Sequence, residues 1–367
     1  MARRNHSKKY FGAAIKTSLR AHKVSALVDC ARCLSKAKLD VPSVRVSCSA
    51  SVAVSSGHVQ GPARLTPVNS FRILVVKRRS KIPRVSQLGS TRVRIGITGA
   101  RGLLGSALTE LALREGHEVR GMDQRGVPEH VSERLSYDVV DLTEADRVAA
   151  GLVGCHALVH LAAHTSPRGL PAQKVHNDNV TGTYNALVAA AELGIQKICQ
   201  ASSINAIGAS FSRWPRYDYL PVDEDHPTYN EDPYSLSKWI CEAQADSLSR
   251  AYPNLKISSL RFHMLVPDRE TALRRWRERK TPEGGAKGLW GYTTVGAAAR
   301  ACLAALETDF VGHEAFYVVA DRTATDEDSS DLKHKWYRDV PLRKEISGGA
   351  SFFDCDKAFR LLSWSDR

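Results

Sequence analysis

Three residues in the second half of the chain have the types and the order that hydride transfer with proton exchange requires. Tyr234 and Lys238 stand four positions apart in a predicted helix, so their side chains lie on one face, one turn apart. A free tyrosine, with a pKa of about 10, is a weak base, and a neighbouring ammonium lowers that pKa. Ser203 ends a β-type run and can hydrogen-bond an oxygen on which charge develops. These residues could exchange a proton with an alcohol or a carbonyl.

A glycine-rich turn upstream predicts where the hydride carrier would bind. The turn follows the apolar run 93–97 and opens a helix-like stretch. Its glycines can bring the backbone against a pyrophosphate while the helix N–H groups face the negative charge. We therefore expect cofactor contacts from Gly99, Arg101, Gly102, Leu103, Leu104 and Gly105.

The ends of the following strands supply the other cofactor residues. Asp123 lies about 20 residues beyond the turn, where a carboxylate can bind the adenine ribose hydroxyls and repel a 2′-phosphate. This position favours NAD, although Arg101 or Arg125 could hold that phosphate, which leaves NADP open. Asp141 is expected at an adenine pocket, or alternatively as a helix N-cap ahead of Thr143. Further cofactor contacts are expected from Leu142, Leu161, Ala162 and Ala163.

Alternating β-type and helical stretches must position these residues. Strands are predicted at 93–97, 118–123, 136–140, 157–161, 197–202, 256–261 and 316–319, and helices at 103–114, 143–151, 173–193 and 234–250. This alternation predicts an α/β fold with a doubly wound parallel sheet of the Rossmann type. We assign residues 91–262 to an NAD(P)-binding core. Residues 263–367 are expected to form a small substrate-binding part that completes the sheet.

The net charge of +13 arises from an N-terminal arm. Residues 1–90 hold 18 of the 52 Lys and Arg residues and 2 of the 39 acidic residues. The rest is nearly neutral, which argues against nucleic-acid binding by the folded part. No stretch approaches the roughly 20 apolar residues of a membrane span. Of the eight cysteines, Cys30 and Cys33 have metal-site spacing but no second pair nearby, so no metal site is expected.

The arm itself is predicted to be disordered, because it is rich in Ser, Ala, Arg and Lys and poor in acids. Phe11, Ile15 and Leu19 form one face of a basic amphipathic helix, as in mitochondrial transit peptides. A simple tail, an upstream extension of the gene, or a nuclear signal at 77–81 are the alternatives. We expect a cytoplasmic protein, or a mitochondrial one if the arm is a transit peptide.

Together these motifs resemble the extended short-chain dehydrogenases/reductases, the NAD-dependent epimerase/dehydratase family. The resemblance runs from about Arg92 to the end of the chain. It is carried by the turn from Thr98 to Gly105, Asp123, the stretch NVTGTYN at 179–185, Ser202-Ser203 and Tyr234-x-x-x-Lys238. It implies an enzyme in which Ser203, Tyr234 and Lys238 are catalytic, and Tyr234 and Lys238 also contact the cofactor. It further implies a homodimer built through the helices at 173–193 and 234–250.

Three activities of that family can be weighed on the residues. A sugar-nucleotide dehydratase usually carries an Asp-Glu pair beside its catalytic hydroxyl, where this chain has Ile204-Asn205. An epimerase must hold a nucleoside diphosphate, and only 106 residues follow Arg261. We therefore expect a dehydrogenase of a small sugar, sugar acid or related carbonyl or alcohol. A nucleotide-sugar epimerase and a non-catalytic NAD(P)-binding regulatory protein are the alternatives.

Several residues are expected to face the substrate. The stretch 201–208 is similar to that of uronate dehydrogenases, whose carboxylate-binding arginine could be replaced here by Lys287 or Arg261. Asn179 is expected to hold backbone near the site, and Trp290 and Tyr292 either wall the pocket or belong to the core. The expected substrate contacts are His164, Thr165, Ser166 and Asn205.

Overall fold

A computed structural model describes residues 92–126, 132–278, 281 and 283–366. The predicted arm, with its basic helix, lies outside the described residues. The strands are β1 Arg94–Thr98, β2 Glu118–Asp123, β3 Leu135–Val139, β4 Ala157–His160, β5 Lys197–Ser203, β6 Lys256–Phe262, β7 Leu265–Val266, β8 Thr293–Thr294 and β9 Gly312–Val318. The helices are α1 Leu103–Arg114, α2 Ala145–Leu152, α3 Ala172–Glu192, α4 Pro233–Ala251, α5 Arg269–Arg277, α6 Glu283–Lys287, α7 Val295–Glu307, α8 Ser329–Trp336 and α9 Asp356–Leu362.

Seven strands form one sheet in the order β3-β2-β1-β4-β5-β6-β9, and every neighbouring pair is parallel. One apolar core lies between this sheet and α1, α7 and α9. A second core lies on the opposite face, under α2, α3 and α4. Burial on both faces explains why the central strands are almost continuously apolar. The predicted α/β, doubly wound Rossmann fold is confirmed.

Most predicted elements are found within two residues of their expected bounds. Strand β9 begins at Gly312 rather than at 316, because its first half lies at the sheet edge and carries half-exposed polar residues. Helix α2 begins at Ala145 rather than at Thr143. Asp141 does not cap it: the Asp141 carboxylate accepts hydrogen bonds from Thr143 N and Oγ1, and Glu144 is the N-cap residue.

The clearest omission from the predicted elements is α7. Eight of its thirteen residues are buried, and its solvent-facing stripe at positions 296, 300, 304 and 307 holds only two polar residues, so its sequence VGAAARACLAALE shows only a weak polar face. Helix α5 was also not predicted, because four of its nine residues are arginines and the apolar period is short. In the part of the chain described, no helix is long and apolar enough to cross a membrane.

Candidate active site

A cleft of about 1300 Å³ opens at the carboxyl ends of the central strands. This is the edge at which ligands bind in open parallel sheets. The predicted residues that line it are Gly99, Gly102, Leu103, Leu104, Gly105, Asp123, Asp141, Leu142, Leu161, Ala162, Ala163, His164, Thr165, Ser203, Asn205, Tyr234 and Lys238. Two predicted residues, Arg101 and Ser166, are not among the lining residues. The structure thus brings both predicted halves of the site into one cleft.

The glycine-rich turn is shaped by close backbone approaches. Gly99 has a φ of +67°, and a Cβ there would lie 2.8 Å from the nitrogen of Ala162. A Cβ on Gly105 would lie 2.1 Å from the Gly99 carbonyl oxygen, so only glycine lets α1 pack on the turn. Gly102 is the N-cap residue of α1 and supplies no side-chain bond to the first helical N–H groups. Those N–H groups remain available for an anion such as a pyrophosphate.

Asp123 closes the cleft at the end of β2. Its Oδ2 accepts a hydrogen bond from Arg101 N at 3.0 Å, and its Oδ1 accepts bonds from Arg125 N and Nε at 3.0 and 3.2 Å. Burial alone would raise the pKa of Asp123, but these bonds outweigh it, and the pKa lies below its ordinary value. The Arg101 guanidinium bonds the Gly126 carbonyl. Arg125 is therefore the cation that stands beside the carboxylate.

The reactive residues meet where β5 ends against the first turns of α4. Asp232 is the N-cap residue of α4 and accepts hydrogen bonds from Tyr234 N and Ser235 N, and proline follows it at the first helical position. This cap fixes Tyr234 in the first turn. The Tyr234 hydroxyl faces Ser203, which acts to lower the tyrosine pKa, and the Phe211 ring stands edge-on to the Tyr234 ring at 5.6 Å between centroids.

In this structure the Lys238 ammonium is bonded to the backbone at the end of β5. Its Nζ lies 6.0 Å from the Tyr234 ring centroid and donates a hydrogen bond to the Ala201 carbonyl at 2.7 Å. Burial raises the pKa of Tyr234 to about 12, with the Ser203 bond acting in the opposite direction. Burial also lowers the pKa of Lys238. Burial therefore acts on the tyrosine pKa against the lowering expected from Lys238, and that expectation stays a prediction; a pKa of about 12 corresponds to a protonated hydroxyl at neutral pH.

Asn205 completes the group around Ser203. Its backbone N and its Nδ2 both donate to Ser203 Oγ, at 3.1 and 3.2 Å. Its Oδ1 is buried and accepts no hydrogen bond from any described residue. Because a buried acceptor without a donor is costly, this oxygen is suited to accept a bond from a substrate hydroxyl.

The loop after β4 is held by α3. His164 Nε2 contacts Asp178 Oδ2 at 2.8 Å, and His164 N donates to Asn179 Oδ1 at 2.8 Å. Asn179 Nδ2 donates to the His164 carbonyl and to Ser237 Oγ, which is the positioning role expected of it. Ser166 Oγ accepts a bond from Arg168 N, so Ser166 supports a local turn whose neighbours Thr165 and Arg168 line the cleft.

Sequence reasoning missed several residues that line the far end of the cleft. Phe211, Arg213 and Arg275 lie on loops and on α5, which no motif indicated. Within the described lining, the residues between 201 and 287 include the cations Arg213, Lys238, Arg275 and Lys287 and no carboxylate. Trp290 and Tyr292 are core residues and do not wall the cleft.

Of the two cations suggested for a carboxylate site, only Lys287 lines the cleft. Arg261 is buried in a two-bond pair with Glu242. Lys287 is half-buried, and within the described residues its ammonium makes no hydrogen bond or close ion pair. The segment that carries Lys287 is rigidly held. Tyr337, Tyr217 and His263 donate hydrogen bonds to the successive carbonyls of residues 286, 287 and 288, at 2.7, 2.8 and 2.8 Å.

The backbone immediately after this segment is strained. Leu289 and Trp290 have φ values of 52° and 49°, a left-handed conformation that non-glycine residues rarely adopt. Such strain persists only where the surroundings fix it, and it occurs preferentially at functional sites. The three carbonyl bonds supply that fixation, so Lys287 is presented from an ordered backbone.

The chain is similar to a family model and to several curated proteins. The model of the "NAD dependent epimerase/dehydratase family" matches residues 95–320. A putative UDP-glucose 4-epimerase of Methanocaldococcus jannaschii is 26% identical over 47% of this chain and 56% of its own length. An NAD-dependent glucose-6-phosphate dehydrogenase of Haloferax volcanii is 28% identical over 49% of this chain and 73% of its own length.

Solved structures show the same fold. A short-chain dehydrogenase/reductase superfamily protein from Agrobacterium tumefaciens with bound NAD aligns with a TM-score of 0.57 at 22% identity, covering 74% of this chain and 92% of that one. A mutated uronate dehydrogenase aligns with a TM-score of 0.53 at 20% identity, covering 76% of this chain and 82% of that one.

The extent of these matches decides what they establish. The chain spans about half the length of the curated relatives it matches first. The structural likeness, at such low identity, concerns the fold alone. The family model, however, covers most of the described part of the chain, from β1 to the end of β9. The chain therefore belongs to the NAD-dependent epimerase/dehydratase family.

Proposed function

We propose that the protein is an NAD-dependent oxidoreductase that interconverts an alcohol and a carbonyl on a small polyhydroxylated substrate. The observation that carries this proposal is the meeting of Ser203, Tyr234 and Lys238 in the cleft that the glycine-rich turn also lines. A binding protein without turnover would not need a buried tyrosine, a serine and a lysine together at the same place. We also propose that residues 91–262 bind the cofactor and that residues 263–367 contribute to the substrate end.

The cleft has the features that an NAD molecule requires. Its volume exceeds the upper range of about 1,000 Å³ for ordinary ligand pockets, which leaves space for a dinucleotide and a small second molecule. The uncapped start of α1 would hold the pyrophosphate, Asp123 the adenine ribose, and Asp141 and Leu142 the adenine. Arg101 would contribute only its backbone, because its guanidinium is bound elsewhere. NAD, when bound, would supply or accept the hydride.

The protein side chains would handle the substrate oxygen. Tyr234, protonated at neutral pH, would donate its proton to a carbonyl oxygen as that oxygen becomes an alcohol. The Ser203 hydroxyl would hydrogen-bond the same oxygen as charge develops on it. Lys238, tied to the Ala201 carbonyl, would hold the end of β5 and place a positive charge near the reacting groups. Asn205 Oδ1 would accept a bond from a neighbouring substrate hydroxyl.

The charge of the substrate end favours a sugar acid over a neutral sugar. Four cations and no carboxylate occur in the described lining between residues 201 and 287, and the one lining carboxylate beside His164, Asp178, is already paired with Lys174. Lys287 is the best placed of them, because within the described residues its ammonium makes no hydrogen bond or close ion pair, Glu231 acting on it only at longer range, and because its backbone is fixed on both sides. A charge-assisted hydrogen bond to a substrate carboxylate would satisfy it. His164 and Thr165, at the loop after β4, are proposed to contact the same substrate, and Ser166 to support that loop.

A Lys287→Met substitution tests this assignment. The KM for an acidic sugar should rise about tenfold, because one charge-assisted hydrogen bond contributes roughly 1.5–3 kcal/mol. The KM for a matched neutral sugar should stay the same. Steady-state kinetics on a uronate and on the corresponding aldose measure both values, with the exposed Lys335→Met as the control. An equal rise in KM for both sugars would show that Lys287 does not bind the substrate carboxylate.

The proposed activity is tested by following NADH absorbance while the purified protein meets panels of aldoses, uronates, aldonates, aldehydes and ketones. Turnover of a member of these panels supports the proposal. Turnover of UDP-sugars without net NADH formation would instead indicate an epimerase. Tight NADH binding with no turnover of any compound would indicate a regulatory NAD(P)-binding protein.

Asp123→Ser tests the choice between NAD and NADP. The serine removes the carboxylate that would repel a 2′-phosphate and leaves Arg125 to attract it, so the NADP-to-NAD ratio of kcat/KM should rise about tenfold or more. Asp141→Ser, a second carboxylate of the cleft, is the matched control and should not change the ratio. If the unmodified protein already prefers NADP, then Arg125, not Asp123, selects the cofactor.

We further propose that the protein is a homodimer. Helices α3 and α4 pack side by side, and they carry the exposed aromatic residues Tyr184 and Trp239, whose exposed fractions are 50% and 43%. A second copy could cover both in a four-helix bundle. Light scattering at micromolar concentration should give twice the chain mass of 40.3 kDa. A monomer mass would exclude the dimer.

A further inference from the structure

One face of helix α4 carries more than the two reactive residues. Tyr234, Lys238 and Glu242 are spaced by four residues, so they lie above one another on the same side of the helix. All three are buried. Glu242 lies one turn beyond Lys238, and it forms no part of the cleft lining.

These three side chains face three consecutive residues at the end of β5. Lys238 donates a hydrogen bond to the carbonyl of Ala201, and Glu242 accepts one from the hydroxyl of Ser202. The Tyr234 hydroxyl faces Ser203, which acts to lower the tyrosine pKa. The helix and the strand end are therefore matched residue by residue.

Glu242 is itself fixed by a cation. Arg261 lies on β6 directly opposite Ser202, and its Nε and Nη2 donate to the two Glu242 oxygens at 3.0 and 2.8 Å. The side chains of this pair are each 8% exposed. Burial would raise the pKa of Glu242, but Arg261 lowers it below its ordinary value, so the carboxylate stays ionised. The Arg261 guanidinium also contacts the Glu224 carbonyl and lies 5.2 Å from the Tyr317 ring centroid.

We propose that Glu242, oriented by Arg261, is a positioning residue that holds Ser202 and thereby places Ser203 and Lys238 against Tyr234. This inference rests on the proposed function, because it assigns Glu242 a task in that reaction. A pair placed only for stability would not need a third partner at the residue beside the reactive serine. Buried ion pairs are in general a weak source of stability, since desolvation of both charges offsets their attraction.

The sharpest test is Ser202→Ala, which breaks the connection and leaves the pair between Glu242 and Arg261 intact. We expect kcat on the substrate found in the screen to fall about tenfold, because small displacements of reacting groups are costly. The KM for NAD should change less than twofold, since the glycine-rich turn and Asp123, which would hold the pyrophosphate and the adenine ribose, make no contact with Ser202 or Glu242 in the bonds described. Asp246→Ala is the matched control. Asp246 lies one turn further along α4 and ties the helix to His313 on β9 instead of to β5.

A second variant separates positioning from stability. Glu242→Leu combined with Arg261→Met removes both charges while conserving volume, and circular dichroism and thermal melting show whether it folds. We expect a folded protein with a kcat reduced at least as much as in Ser202→Ala. If the Asp246→Ala protein keeps full kcat while both other variants lose it, the proposal is supported.

Two outcomes would overturn the inference. Full kcat in folded Ser202→Ala would show that the connection is dispensable. A loss in Ser202→Ala no larger than in Asp246→Ala would show that any loosening of α4 has the same effect. Failure of the proposed function would look different, because the unmodified protein would then turn over no compound of the screen, and the assignment of Glu242 would fall with it.

Discussion

Tyr234→Phe is expected to lower kcat at least about a hundredfold, the lower end of the effect of removing a general acid or base. Phenylalanine keeps the ring, and with it the edge-on contact to Phe211, but loses the hydroxyl that faces Ser203. No carboxylate of the described residues is hydrogen-bonded to Ser203. The affinity for NADH, measured by fluorescence titration, should stay within twofold of the original.

Tyr252→Phe serves as the matched control for this substitution. Tyr252 lies just beyond the end of the same helix, outside the cleft, and packs against the core under α4. Its variant should retain full kcat. A kcat of Tyr234→Phe close to that of the unmodified protein would show that the tyrosine takes no part in the proton step. A loss of NADH affinity parallel to the loss of kcat would indicate that the tyrosine binds the cofactor.

The second large effect is expected in the pH dependence of the two reaction directions. Burial raises the pKa of Tyr234 to about 12, so the proton that a carbonyl reduction needs is present throughout the range from pH 6 to 9. The reduction rate should therefore be nearly flat in that range. Alcohol oxidation needs the deprotonated phenolate, whose fraction grows tenfold with each pH unit below the pKa, so its rate should rise with about that slope.

Rates of both directions between pH 6 and 9, at saturating substrate, measure this asymmetry. The difference between the two profiles should disappear in the residual activity of Tyr234→Phe. An oxidation rate that levels off below pH 8 would show that the pKa of the tyrosine in the working complex lies far below that in the protein described here. In that case the spacing of Tyr234 and Lys238 would predict the pKa of the tyrosine better than its burial does.

The sequence alone predicted the sheet because its signals are local. The apolar runs at β1 and β4 and the glycine turn after β1 are short patterns whose backbone consequences follow directly from residue type. Helix α7 could not be recognised in the same way, since its solvent-facing stripe at positions 296, 300, 304 and 307 includes a glycine and an alanine and so gives only a weak polar period. The first half of β9 was missed because its half-exposed edge residues do not form an apolar run.

For the candidate site, residue types were predictable and electrostatic environments were not. The positions of Ser203, Tyr234 and Lys238 in one cleft followed from motif spacing. The contact of Lys238 with the Ala201 carbonyl depends on the exact distance between α4 and β5, which no sequence pattern encodes. Likewise, nothing near Arg261 and Lys287 in the sequence showed that the first is paired in the interior while the second faces the cleft.

The way in which residues 286–288 are held has a consequence for how this scaffold can change its substrate. The three bonds to this segment all reach backbone carbonyls, and they come from side chains far away in the chain, Tyr337, Tyr217 and His263. None of them depends on the side chain at position 287. If Lys287 recognises an acid as proposed, a single codon change there would replace that group by a neutral or an acidic one while the backbone bonds stay the same. Substrate preference would then be separable from folding at this position, both in natural divergence and in directed evolution.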